Sequence, residues 1–181
     1  MLELNAHPNT RAIIEAWKRL SSGESSLQDT PKASEYPEIV SRLFIIQRTQ
    51  KEDLTFRVAG AGLESLFGRD LIDHNFLSLW RDADKVIVSA AVDAALIEGS
   101  PTVMQATAET LDGRQVGVEV SFSPLDTIEA HTPRVLGLYQ TTTNEAVLKQ
   151  RPIWRHVATR MTPPVPETLA ASLRLVVSND T

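Results

Sequence analysis

The sequence predicts an α+β fold: a five-stranded antiparallel sheet with short helices and one longer helix on one face, preceded by an N-terminal amphipathic helix. Three observations predict it. Residues 54–68 run from an alternating strand, through a glycine break, into a single short helix. Residues 82–98 carry the pattern of one longer, apolar helix. The dipeptide Asp112-Gly113 separates two strand-like runs, which marks an antiparallel hairpin.

Taken in order, residues 9–22 read as the N-terminal helix. Ile13, Ile14, Trp17 and Leu20 share one face, while Arg11, Glu15, Lys18 and Arg19 lie largely opposite. Asn9 is the expected cap and Ser21-Ser22-Gly23 the expected stop. Residues 24–37, rich in Ser, Pro, Asp and Glu, form a loop. Leu43-Phe44-Ile45-Ile46-Gln47 is apolar on both faces, as a covered central strand would be. A polar connection, Gln50-Lys51-Glu52-Asp53, leads into the second strand of a hairpin, where Leu54, Phe56 and Val58 alternate with Thr55, Arg57 and Ala59. Gly60 and Gly62 permit the reversal that follows, Leu63, Leu66 and Phe67 fall at helical spacing, and Gly68 ends the turn. In the long helix Lys85, Ser89 and Asp93 make a polar stripe, and Ile87, Ala90, Ala91 and Ala94 the buried one. Gly99 and Pro101 stop it.

The Asp112-Gly113 hairpin admits two registers, and side-chain chemistry decides between them. A two-residue loop would set Val116, Val118 and Val120 against Glu109, Thr107 and Gln105. A three-residue loop, Leu111-Asp112-Gly113, sets them against Ala108, Ala106 and Met104, with Phe122 against Thr102. The second choice yields one consistently apolar face and puts Gly113 where a left-handed residue is needed. Glu109, Thr107, Gln105, Glu119 and Ser121 then line the outer face. Pro124 ends that strand, Thr127 to Thr132 is loop, and Arg134–Gln140 is the last strand. There Leu136 and Leu138 are expected to face the core, and Val135 and Tyr139 to face outward, where the N-terminal helix can cover them.

The run Phe56 to Trp80 resembles a PAS domain, and more narrowly a family of bacterial single-PAS proteins. The residues that carry the likeness are Gly60-Ala61-Gly62-Leu63, Phe67-Gly68-Arg69-Asp70-Leu71 and Phe76-Leu77-Ser78-Leu79-Trp80, within a similarity running from about Pro37 to Thr142. Asp73 stands where the family often has glycine; Asp tolerates left-handed angles better than most residues, so the turn is expected to survive. The resemblance implies a PAS-like sheet, a sensory or regulatory role, and a cavity between the sheet and the helices. The faces deduced above supply one wall from Met104, Ala106, Ala108, Val118, Val120, Phe122, Leu136 and Leu138. Phe67, Leu71, Phe76, Leu79 and Ile87 oppose it. Helices that precede a PAS core often dimerise, which makes Ile13, Trp17 and Leu20, with Val135 and Tyr139, candidates for a dimer or partner surface as well as for packing within the domain. The chain divides into an N-terminal helix and linker (1–36), a PAS-like domain (37–144) and a basic, Pro-containing extension (145–181).

Composition excludes several functions. The chain of 181 residues is 42% hydrophobic and 23% charged, the balance of an ordinary globular protein. A formal charge of −5 gives no footprint for nucleic acid or an anionic membrane. With no cysteine there is no disulfide, no thiolate ligand, and no flavin–cysteine adduct of the PAS photosensor type. His7, His74, His131 and His156 are scattered, and the long helix, where a haem-binding PAS domain is expected to carry its axial ligand, holds none. No cofactor and no metal are expected. Asp70, Asp73 and His74 are explained by turn formation and capping. No apolar run approaches the roughly 20 residues of a membrane span, and Met1–Pro8 lacks the character of a signal peptide, so the expected location is the cytoplasm.

In the extension, Lys149, Arg151, Arg155, His156 and Arg160 cluster with no acid between Glu145 and Glu167. They read either as a solvated tail or as an anionic docking site. Met161–Pro166 is expected to be extended, and Leu169–Val177 to be a short helix or strand. Three function classes follow: a non-catalytic regulatory module sensing a small apolar ligand, an interaction adaptor with a filled core, and a small α+β enzyme. The deduced inner faces contain no carboxylate or histidine, which disfavours the enzyme. No kinase, cyclase or DNA-binding output segment is visible, so signalling would pass by association, as a homodimer or with a protein partner.

Overall fold

The computed structural model describes residues 6–23, 36–125 and 132–162. Helix α1 (Pro8–Ser21) precedes a short α2 (Pro37–Val40) and the hairpin β1 (Leu43–Gln50) and β2 (Asp53–Ala59). Helix α3 (Ala61–Phe67) and two single 3-10 turns, Phe76–Leu79 and Asp82–Asp84, lead into α4 (Lys85–Glu98). The hairpin β3 (Thr102–Thr110) and β4 (Gln115–Leu125), then β5 (Arg134–Thr141), a 3-10 turn Glu145–Leu148 and β6 (Ile153–Thr162) complete the described chain. The strands form one antiparallel sheet in the order β2-β1-β5-β4-β3-β6. One of its faces carries α3, the 3-10 turns and α4; the other carries α1.

The β3–β4 register is the one deduced from chemistry: Ala106 opposes Val118, Met104 opposes Val120, and Thr102 opposes Phe122. Gly113 closes the tip at φ +82°, a conformation that a side chain would strain. Asp73 likewise holds the left-handed angle (φ +62°) expected of it, anchored by an ion pair with Arg57 at 2.8 Å. Asp70 caps the same turn by accepting from the Ile72 amide at 2.9 Å.

Among the described residues the sheet has six strands, not five. The added strand, β6, pairs with β3 along its length, His156 opposite Ala108 and Ala158 opposite Ala106. Part of the basic extension is therefore sheet and not a solvated tail. The Arg155 guanidinium pairs with Glu109 on the neighbouring strand at 2.9 Å. Residues 24–35, 126–131 and 163–181, with the loops and terminal elements expected there, lie outside the described residues.

Three expectations, two of facing and one of capping, are corrected. In β5, Val120 opposes Tyr139 and Phe44 opposes Gly137, so Val135, Gly137 and Tyr139 face inward while Leu136 and Leu138 face α1. Gly137 is the physical reason: the Phe44 ring lies where a side chain at this position would be, so only glycine lets that ring cross the sheet there. In α4 the buried stripe is Val88, Ala91, Val92 and Ala95, whereas Ile87 is 44% exposed and Ala90 is exposed. Ser89 and Asp93 take the side toward β1, where Arg48 reaches the Ser89 hydroxyl at 3.0 Å and the Asp93 carboxylate at 2.6 Å. Finally, α1 is capped by His7, whose Nδ1 accepts from the Asn9 amide. It lies on the outer face of the sheet, with the Trp17 indole donating to the Pro124 carbonyl at 2.6 Å.

Candidate functional site

The face expected to hold a cavity is built from short elements whose apolar residues converge. Gly68 in a left-handed angle ends α3 and leaves Phe67 pointing into the core. Asn75 caps the next turn by accepting from the Leu77 amide at 2.9 Å, and thereby fixes Phe76, Leu77, Leu79 and Trp80, all buried. From below come Phe44 and Phe56 of the first hairpin and Phe122 of β4. Phe76 stacks on Phe44 with centroids 5.4 Å apart. It meets Phe56 and Phe122 edge-on at 5.5 and 5.8 Å, and Trp80 at 5.9 Å. These are the spacings of favourable aromatic pairs.

Of the residues expected to line a pocket, Phe67, Leu71, Phe76, Leu79, Met104, Ala106, Ala108, Val118, Val120 and Phe122 do come together in one buried cluster. Ile87, Leu136 and Leu138 do not, for the reasons given above. Among the partner-surface candidates, Ile13 and Trp17 are half-buried on the sheet and Leu20 is 63% exposed. Val135 and Tyr139 belong to the core.

Sequence reasoning missed the polar centre of this face. The His156 ring is buried, packed 5.0 Å from the Trp80 ring and 5.6 Å from Phe67. Its Nδ1 lies 2.9 Å from the Leu79 carbonyl and its Nε2 lies 2.7 Å from the Tyr139 hydroxyl. A carbonyl only accepts, so Nδ1 carries the proton; in the neutral ring Nε2 then accepts from the Tyr139 O–H. Burial favours that neutral form and pushes the imidazole down to about 4, against a smaller opposing effect of the Leu79 hydrogen bond. Burial raises the Tyr139 hydroxyl above its ordinary value. Both ring nitrogens are engaged, so the imidazole offers no free lone pair to a reactant. Nearby, the buried Asp84 carboxylate accepts from the Ala158 amide at 3.1 Å and from Arg81 at 3.2 Å, which pins β6 to the turn preceding α4. Trp80 contributes one further feature: its Nε1–H is buried without a hydrogen-bond partner. The signal that could have revealed β6 is a Pro-bounded run, Ile153 to Thr162, rich in β-branched residues.

Among the described residues no group of three His, Asp or Glu side chains is arranged to hold a metal ion. Nor is any helix there long and apolar enough to cross a membrane.

A family model described as "PAS domain" matches residues 5–140. Among solved structures, the chain is similar to a light-oxygen-voltage domain studied with a flavin analogue (15% identity, TM-score 0.48, 68% of this chain and 93% of the other). It is also similar to the PAS domain of a protein from Colwellia psychrerythraea (15%, TM-score 0.47, 62% and 94%). A third is the blue-light photoreceptor aureochrome1 LOV domain in its dark structure (14%, TM-score 0.46, 70% and 94%). The sequence matches none of the curated proteins.

Proposed function

The chain belongs to the PAS domain family, and from that premise we propose that it is a non-catalytic regulatory module that acts by association, with a protein partner or a second copy, around a core that is already filled. The observation that carries this reading is the closed inner face. Phe44, Phe56, Phe76, Trp80 and Phe122 meet ring to ring between the sheet and its helices, and Ala91 and Ala95 of α4 are fully buried in the same cluster as Ala106 and Ala108. Small residues on both sides let helix and sheet approach closely instead of leaving a void. The engaged Tyr139–His156 pair supports the non-catalytic part. Val86, Ile87 and Ile97, at 76%, 44% and 80% exposure, give α4 an outward apolar stripe suited to association.

A second reading, a sensor of a small ligand within the core, is favoured by one observation. The Trp80 N–H is a buried donor without a partner, and a buried donor left unsatisfied costs about 1–3 kcal/mol. A small ligand carrying one acceptor would relieve that cost. Native mass spectrometry of the purified protein separates the two. Association predicts masses of the bare chain and its multiples, with the oligomer lost on introducing an acid at Val86. A small molecule released on denaturation would overturn the filled-core reading in favour of the sensor.

A further inference from the structure

At the end of the sheet, the tip of the β3–β4 hairpin meets the loop after α3 and the start of β6. Between them opens a cleft of about 510 Å3, outside the inner core and within the size range of small-molecule sites. We propose that this cleft binds a small, flat, apolar anion, an aromatic ring bearing a carboxylate or phosphate. The site does not depend on the association reading.

The floor is apolar, since the buried Phe67 and Ile153 both line it. One wall is Trp154, which is 43% exposed yet is not a loose side chain. The Arg155 guanidinium sits 4.7 Å from its ring centroid and is itself held by Glu109 at 2.9 Å. That contact holds the indole in place, and a pre-set aromatic surface loses little entropy when a ring packs against it. The charge is supplied by Arg69 and Arg151, both exposed and both lining the cleft. Neither makes a salt bridge among the described residues. Arg151 acts on Asp112 only through space. The Asp112 carboxylate also lines the cleft but is already occupied, accepting from the Thr110 hydroxyl and from Arg114 at 2.9 Å. Two guanidiniums are thus left in excess over an apolar floor, in a chain whose overall charge is −5. Guanidinium is the side chain best matched to a carboxylate or phosphate, because its planar fork donates two parallel hydrogen bonds. A cation is repelled there, and a neutral ring would leave both guanidiniums without their acceptor.

The test is isothermal titration calorimetry of the full chain with naphthoate, naphthamide and acetate. Naphthoate should bind at a single site and at least about tenfold more tightly than either control. Arg69→Gln with Arg151→Gln should weaken it by about tenfold or more, and raised ionic strength should weaken it further. Both arginines are exposed, so the double variant should keep the wild-type melting temperature. Several results would overturn the proposal: no saturable heat with naphthoate, equal binding of naphthamide or acetate, or an unchanged affinity in the double variant. An acidic peptide that outcompetes naphthoate would reassign the cleft to a protein partner and overturn it equally.

Discussion

The two faces of the sheet are buried to similar depth but satisfied to different degrees. On the inner face the Tyr139 hydroxyl, both His156 nitrogens and the Thr102 hydroxyl (3.0 Å from the Ala91 carbonyl) have partners, and the Trp80 N–H has none. Beneath α1, on the outer face, the hydroxyls of Thr10, Ser121 and Ser123 are buried with none. Polar contacts fasten the helix there, among them Trp17 to the Pro124 carbonyl, Asn9 to Gln140, and the His7 amide to the buried Glu119 carboxylate. Buried polar groups left unpaired subtract from the free energy of docking. The inner face is therefore the structural centre of the domain, and the outer face carries the more easily removed cover.

The comparison breaks most directly at Phe76, whose ring touches four others. Phe76→Ala should cost about 3–5 kcal/mol by chemical denaturation, since it removes a large side chain from the middle of the buried aromatic cluster. A cost near 1 kcal/mol would mean that the inner face collapses readily and is no better packed than the outer one.

Next in size is the acid sensitivity built in by His156. In the unfolded chain the imidazole takes a proton below its ordinary value of 6.5, whereas in the fold it stays neutral to about 4. Between those values the unfolded state binds more protons, so stability falls as pH drops, and the contribution is fully lost below pH 4. A separation of this size corresponds to about 3 kcal/mol. His156→Phe removes the titration but leaves the Leu79 carbonyl and the Tyr139 hydroxyl unpaired, so it should be less stable at neutral pH. The diagnostic is the difference between the two proteins, which should shrink as pH falls from 6.5 to 4. Parallel stability curves would show that the imidazole is not held neutral.

A third measurement concerns the small residues of β3. Ala106 is buried opposite Val118 in a cluster shared with α4, so Ala106→Leu overpacks it and should cost about 1–3 kcal/mol. An unchanged melting temperature would reveal spare volume at that position and favour a ligand cavity there.

Why some of this was legible in the sequence and some not follows from how many faces each segment leaves distinct. The β3–β4 register could be read because only one choice of loop sets Ala108, Ala106 and Met104 against Val116, Val118 and Val120 and leaves Glu109, Thr107 and Gln105 on the other face. The Phe67-to-Trp80 run could be read because its turns are marked by Gly68, Asp70 and Asp73. Residues 135–139 are apolar on both sides, because both sides are covered. Alternation then carries no direction, and only the Phe44 ring over Gly137 sets it. The same holds for α4, whose Val86, Ile87, Val88, Ala90, Ala91 and Val92 encircle the helix. β6 was obscured by its charges. Arg155 and Arg160 suggested a solvated tail, and a histidine at 156 gave no hint that it lies inward, because its partners come from residues 79 and 139, distant in sequence.

The smallest effect is the sharpest test of the contrast between the faces, because it compares two hydroxyls at nearly equal burial. Thr102, on the inner face, is fully buried and bonded to the Ala91 carbonyl; Ser121, on the outer face, is fully buried and unbonded. Thr102→Val keeps the shape and deletes the hydrogen bond, leaving a helix carbonyl without its extra donor, at an expected cost of about 1 kcal/mol. Ser121→Ala deletes a group that gave up its hydration and received nothing in return. It should therefore be neutral, or should stabilise by up to about 1 kcal/mol. Paired urea titrations of the two variants read the difference directly. If Ser121→Ala loses as much as Thr102→Val, the hydroxyl has an acceptor in solution, through a bound water or a shift of α1. The outer face would then be as well satisfied as the inner one, and α1 would be as firmly held as α4.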